Sequence, residues 1–118
     1  MSDPVASSHP HASVQRTIDE FHCLLPLFEQ AGYKLVSLAL DLGVPPKLEP
    51  RFCKVCDVPP ERREELLKEN LHHRMAHAVL RGLFRAHDAQ EMLRVGDLTP
   101  QGMEISVGMM PKVRLIWS

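Results

Sequence analysis

Apolar positions along this chain follow two rhythms. From Ser13 to Gln30 they recur three or four apart, at Val14, Ile18, Phe21, Leu25 and Phe28, with Leu24 and Leu27 widening the stripe. That spacing lays one apolar face along an amphipathic helix. The same spacing returns after Pro59 and Pro60, through Leu67, Leu71, Met75, Ala78 or Val79, Leu83 and Ala86. Two prolines followed by acidic residues suit a helix start, where the first backbone donors are unpaired in any case. Each helix carries an irregularity. Pro26 removes the bond to the carbonyl of His22 and predicts a kink or split. The second helix, unbroken, would run on the order of 40 Å, long for 118 residues, so a bend or break is expected near Asn70 or Gly82.

The other rhythm is strict alternation, and it occurs twice. Leu38 to Phe52 reads LALDLGVPPKLEPRF, and Met103 to Trp117, starting 65 positions later, reads MEISVGMMPKVRLIW. Aligned position by position, only the Gly, one Pro and the Lys are identical, yet both copies have alternating apolar residues on each side of a turn. Each is a β-hairpin by pattern. Pairing Leu42 with Leu48, Leu40 with Pro50 and Leu38 with Phe52 places all six on a buried face. Val107 with Val113, Ile105 with Leu115 and Met103 with Trp117 do the same in the second copy. The intervening pairs, Asp41 with Glu49, Ala39 with Arg51, Ser106 with Arg114 and Glu104 with Ile116, make the opposite face mainly polar and wet. Gly32 stops the first helix ahead of a strand beginning at Tyr33. Pro50 cannot donate to a ladder, which places its strand, Leu48 to about Cys53, at an edge. Between the second helix and second hairpin, Met92 to Val95 suggests a short turn or strand, followed by a GDLTPQG loop.

A two-stranded ribbon needs a cover over its apolar face. The order helix, hairpin, helix, hairpin therefore predicts an α+β fold: two αββ repeats forming a four-stranded antiparallel sheet, helices packed on one face, the units related by a pseudo-twofold. The expected organisation is a disordered tail over 1–12 and a single domain over 13–118, internally duplicated as 13–56 and 60–118. An intertwined dimer sharing hairpins satisfies the same pattern.

Composition changes this picture little. Fourteen basic and 15 acidic residues give no overall field toward nucleic acid or anionic lipid. No apolar run has the length of a membrane span, and the first residues lack a signal-peptide pattern. Three cysteines, an odd number, point to reduced thiols and a cytoplasmic setting.

Candidate chemistry is confined to a few groups. Cys53-x2-Cys56 followed by His73-x3-His77 resembles the spacing of a two-Cys, two-His zinc site. A continuous helix would hold His73 roughly 20 Å from its start near Cys56, so the site requires the break near Asn70. The turns GVPPK and GMMPK present Lys47 and Lys112 beside Arg51 and Arg114, a set that suits phosphate or an RNA backbone, without the exposed aromatic platform of single-strand binders. Val44, Met109 and Met110 put apolar side chains at the turn tips, where adaptable contacts form. There is no phosphate loop, nucleophile elbow or HExxH, which points away from an enzyme. The leading expectation is a protein-interaction module, with a second copy (a homodimer) or another protein as partner, through Val44, Lys47, Met109, Met110 and Lys112 and an open sheet edge. A zinc-type site at Cys53, Cys56, His73 and His77 is the first alternative. Anion or nucleic-acid binding by the lysine turns is the second.

Overall fold

The computed structural model describes residues 10–108 and 112–118. In chain order the elements are α1 (Pro10–Cys23), α2 (Leu25–Gln30), β1 (Tyr33–Asp41), β2 (Lys47–Lys54), α3 (Pro60–Glu69), α4 (Arg74–Met92), β3 (Pro100–Ser106) and β4 (Lys112–Trp117). The strands form one antiparallel sheet in the order β1-β2-β3-β4, so the class is α+β. Of the tail expected over 1–12, residues 1–9 lie outside the described residues, and the backbone is helical from Pro10.

Both irregular helices divide. The first splits at Leu24, leaving Pro26 in the opening turn of α2, where its missing donor costs nothing. The Thr17 hydroxyl donates to the Ser13 carbonyl one turn back in α1, at 3.1 Å. The second splits between Glu69 and Arg74. There the Asn70 side-chain amide donates to the Leu66 carbonyl at 2.8 Å, and His73 Nδ1 accepts from the Ala76 N–H at 3.3 Å as the N-cap of α4. Gly82 breaks nothing. A Cβ there would lie 3.2 Å from two atoms of Ile105, so this glycine lets α4 approach the sheet. Arg63 ties α3 to α4, its guanidinium 5.0 Å from the Phe84 ring centroid and 3.0 Å from Asp88.

The hairpins form with the expected faces but a shifted register. Leu40 faces Leu48 and Leu38 faces Pro50; Ile105 faces Val113 and Met103 faces Leu115. Both turns start one residue early, with Asp41 paired to Lys47 and Ser106 to Lys112. In the first, the Asp41 carboxylate accepts from the Gly43 N–H at 2.9 Å, an Asx-type bond that starts the turn at Asp41. Trp117 consequently faces Pro100 rather than Met103.

Four other expectations are corrected. Pro50 sits in an interior strand, not an edge; the β2–β3 ladder runs through Arg51–Glu104 and Phe52–Met103, resumes at Leu48–Val107, and lapses beside the residue that has no donor. In the strand order β1-β2-β3-β4 a twofold would exchange β1 with β4 and β2 with β3, not with the strands that match them in sequence pattern, so the expected pseudo-twofold does not hold. Leu93 to Val95 form neither turn nor strand and are exposed. Leu38, Leu40 and Leu42 were expected in the core, and they are 39%, 40% and 63% exposed.

The core itself lies nearer the middle of the sheet. Phe21, Phe28 and Phe52 form a triangle of rings with centroids 5.6 to 6.2 Å apart. Leu48, Leu66, Leu80, Leu83, Met103 and Ile105 complete it, each at most 2% exposed. Tyr33 is buried beside them with its hydroxyl 3.4 Å from the Leu83 carbonyl, and burial pushes its pKa up to about 12.

Candidate functional site

Two surfaces stand out at opposite edges of the sheet. The first is β1. Its start is covered, with Tyr33 buried and Leu35 half-buried, but from Val36 to Asp41 every residue is exposed. Val36, Leu38, Leu40, Leu42 and the turn residue Val44 are all exposed, Val44 fully. Leu38 and Leu40 share the face of Leu48 and Pro50, the face that carries the core farther in. This is an apolar strip along an edge strand, where soluble proteins ordinarily place charge. A recess of about 220 Å³ adjoins it, between Val14 and Thr17 of α1 and Leu40, Pro46 and Leu48. A second recess of about 330 Å³, lined by Met75, Val79, Ile105 and Val107, opens between α1 and α4 and shares Thr17 and Pro46 with the first.

The second surface is the outer flank of α4 over β4. A recess of about 560 Å³ is bordered there by His72, Arg74, His77, Arg81 and Arg85, with Gly82 and Val113 among its apolar lining.

The residues singled out from sequence are distributed as follows. Val44 stands at the tip of the first hairpin, continuous with the β1 strip. Met109 and Met110 lie outside the described residues. Lys47 and Lys112, the first residues of β2 and β4, do converge, bordering one recess of about 240 Å³ on the wet face. Glu49, Glu104 and Arg114 border it too, and Arg114 lies 3.3 Å from Glu104. Two carboxylates among three cations leave little attraction for an anion.

The zinc-type set is not brought together. The required break at Asn70 is present, but it leaves His73 capping α4 with Nε2 3.7 Å from Glu20, while His77 borders the recess over β4. Cys53 is on β2, and Cys56 follows it, exposed, its N–H directed at the Gly32 carbonyl at 3.4 Å. Among the described residues no three His, Cys, Asp or Glu side chains are grouped closely enough to hold a metal ion. Also among those residues, no helix is long and apolar enough to cross a membrane.

Two sets of residues were missed by sequence reasoning. Leu38, Leu40 and Leu42 were read as core, because alternation identifies a face without showing how far a helix covers it. Arg81 and Arg85 were passed over, although they continue from His77 at a four-residue spacing that marks one side of a helix. No protein-family model, curated protein or solved structure matches this chain.

Proposed function

We propose that this chain is a non-enzymatic, protein-interaction module that self-associates through the outer edge of β1. One observation carries the reading: an edge strand with Leu38 and Leu40 about two-fifths exposed, flanked by Val36, Leu42 and Val44. Natural edges are blunted by lysine, proline or a bulge. β1 has a bulge at Val36 and a single lysine near its start, but from Ser37 to Leu40 it carries two leucines and no charge, with Leu42 just beyond its end at Asp41. Pairing β1 with β1 of a second copy is antiparallel and self-complementary, satisfies the outer backbone groups and removes the leucines from water.

We read the architecture as a duplicated αββ unit with α1, α2 and α4 roofing one face of the sheet. What supports the duplication is a constant displacement of 65 positions: the turn-closing pair Asp41–Lys47 recurs as Ser106–Lys112, and the bulge at Val36 recurs at Gln101. What supports the single roof is that Phe21 and Phe28 meet Phe52, while Gly82 meets Ile105, on residues sharing a face. Three free cysteines suit a reducing compartment such as the cytoplasm.

Sedimentation at several concentrations tests the association. The mass should rise toward a dimer with concentration. Leu38→Glu combined with Leu40→Glu should hold the protein monomeric at every concentration, with a melting temperature close to that of the dilute, monomeric wild type, because both side chains are already partly exposed. A wild-type protein that stays monomeric at the highest concentration disproves the reading.

A further inference from the structure

The opposite edge of the sheet has a different character. α4 runs alongside β4: a Cβ on Gly82 would lie 3.7 Å from Val113, and Gln90, eight residues on, donates to the Ile116 carbonyl at 3.0 Å. Eight helical residues rise about 12 Å and three strand residues about 10 Å, so helix and strand advance together. His77, Arg81 and Arg85 occupy one side of that helix at four-residue intervals, with Arg74 a turn before, and all four border the 560 Å³ recess above Val113.

The charge there is not neutralised locally. Arg62, Arg63 and Arg114 each stand within 3.3 Å of a carboxylate. Among the described residues Arg74, Arg81 and Arg85 form no ion pair, and no acidic residue lines the recess.

Among the described residues no strand pairs with the edge below, the outer side of β4. Ser118 exchanges both backbone hydrogen bonds with Thr99, and the Ile116 carbonyl faces inward to Gln90. Alternation along an antiparallel strand then directs the backbone groups of Val113, Leu115 and Trp117 outward. Their side chains face the α4 side, since Val113 and Leu115 oppose Ile105 and Met103.

We infer that an extended, acidic segment of a partner protein docks here as a fifth strand on β4, its acidic side chains pointing into the recess beneath Arg81, Arg85 and His77. The spacings agree: alternate residues of a strand are about 6.6 Å apart, and residues four apart on a helix about 6 Å. A residue opposite Val113 both bonds the edge and faces the cations, so backbone pairing and charge recognition act through the same positions. A nucleic-acid strand would meet the charge, and could stack a base only on His72, His77 or an arginine plane, but it would leave the edge amides unpaired.

The test uses the full-length protein and a synthetic peptide of alternating Glu and Val at low salt. Binding is expected, with slowed amide exchange at Val113, Leu115 and Trp117. Arg81→Glu with Arg85→Glu should weaken it by about ten-fold or more, as should N-methylation of the peptide at its Glu positions. If the double charge reversal disturbs folding, Arg85→Gln alone should still weaken binding several-fold. Unchanged affinity after N-methylation, or unchanged exchange at the three amides, overturns the strand. Arginine-dependent binding of single-stranded RNA without peptide binding assigns the recess to nucleic acid and overturns the inference.

Discussion

His87 shows how one side chain makes this fold sensitive to pH. It lies on the sheet-facing side of α4, 8% exposed, and burial, assisted by the charge of Lys54, holds its pKa below the ordinary 6.5; Glu91, 3.7 Å from Nε2, opposes this. A histidine with a lowered folded-state pKa is kept neutral by the fold while the unfolded chain takes up a proton. Its contribution to stability is therefore complete above about pH 6.5, declines as the pH falls toward the lowered folded value, and is constant below that. His87→Gln removes the titration, so the drop in melting temperature between about pH 7 and pH 5 should be smaller in the variant. Equal drops in the two proteins would show that His87 does not titrate differently on folding. Gly32 makes a different demand on its position. Its φ of +96° is one that side-chain-bearing residues rarely adopt, and a Cβ there would collide with the Cys56 carbonyl. That carbonyl approach belongs to the crossing at which Gly32 O accepts the Val55 N–H at 2.8 Å.

At the scale of elements, the hairpins were legible because alternation and a Gly/Pro turn act together, and their faces came out right. Their register did not, since a period of two fixes parity and leaves pairings that differ by two equally acceptable. Only a local bond such as that from Gly43 to Asp41 chooses between them. The helix breaks were legible at Pro26 and, through excessive length, near Asn70. The interior position of β2 was not, because Pro50 forbids a ladder bond without forbidding a neighbouring strand. The candidate surfaces were legible in part: an open edge was expected, but not which leucines it would expose, and the cationic side of α4 was written in the spacing of His77, Arg81 and Arg85. Gln90 ties α4 to the second hairpin by hydrogen bonds. Gln90 is buried, and its amide nitrogen lies 3.0 Å from both the Gly102 and Ile116 carbonyls, beside the bulge where the β3–β4 ladder slips. Gln90→Leu keeps much of the bulk but strips both carbonyls of a donor, a loss of about 1–3 kcal/mol. Chemical denaturation should show that loss, with exchange at the β3 and β4 amides rising more than at β1. A neutral substitution would mean that the bulge is held by the strands alone.

For the whole molecule, the decisive feature is that both hairpins share one core. Phe52 meets the rings of Phe21 and Phe28 on one side and pairs with Met103 of the second hairpin on the other. Gly102 permits this closeness, since a Cβ there would stand 2.6 Å from the Phe52 carbonyl. The two hairpins are thus fused at β2 and β3, and neither buries its apolar face independently of the other. Phe52→Ala should cost about 3–5 kcal/mol, a large part of the 5–15 kcal/mol typical of a domain. More tellingly, amide protection should fall together in β1 and β4, the two strands farthest apart in the sheet, and calorimetry should still give a single transition. Protection lost from the first hairpin while the second stayed intact would instead make the units separate cooperative bodies. Shared cooperativity also bears on the two edges. A strand added at β1 or at β4 stabilises the same folded state, so occupancy of either edge should raise the melting temperature of the entire chain by mass action. It need not alter affinity at the other edge, because stabilising one common state without a second native conformation supplies no coupling between sites.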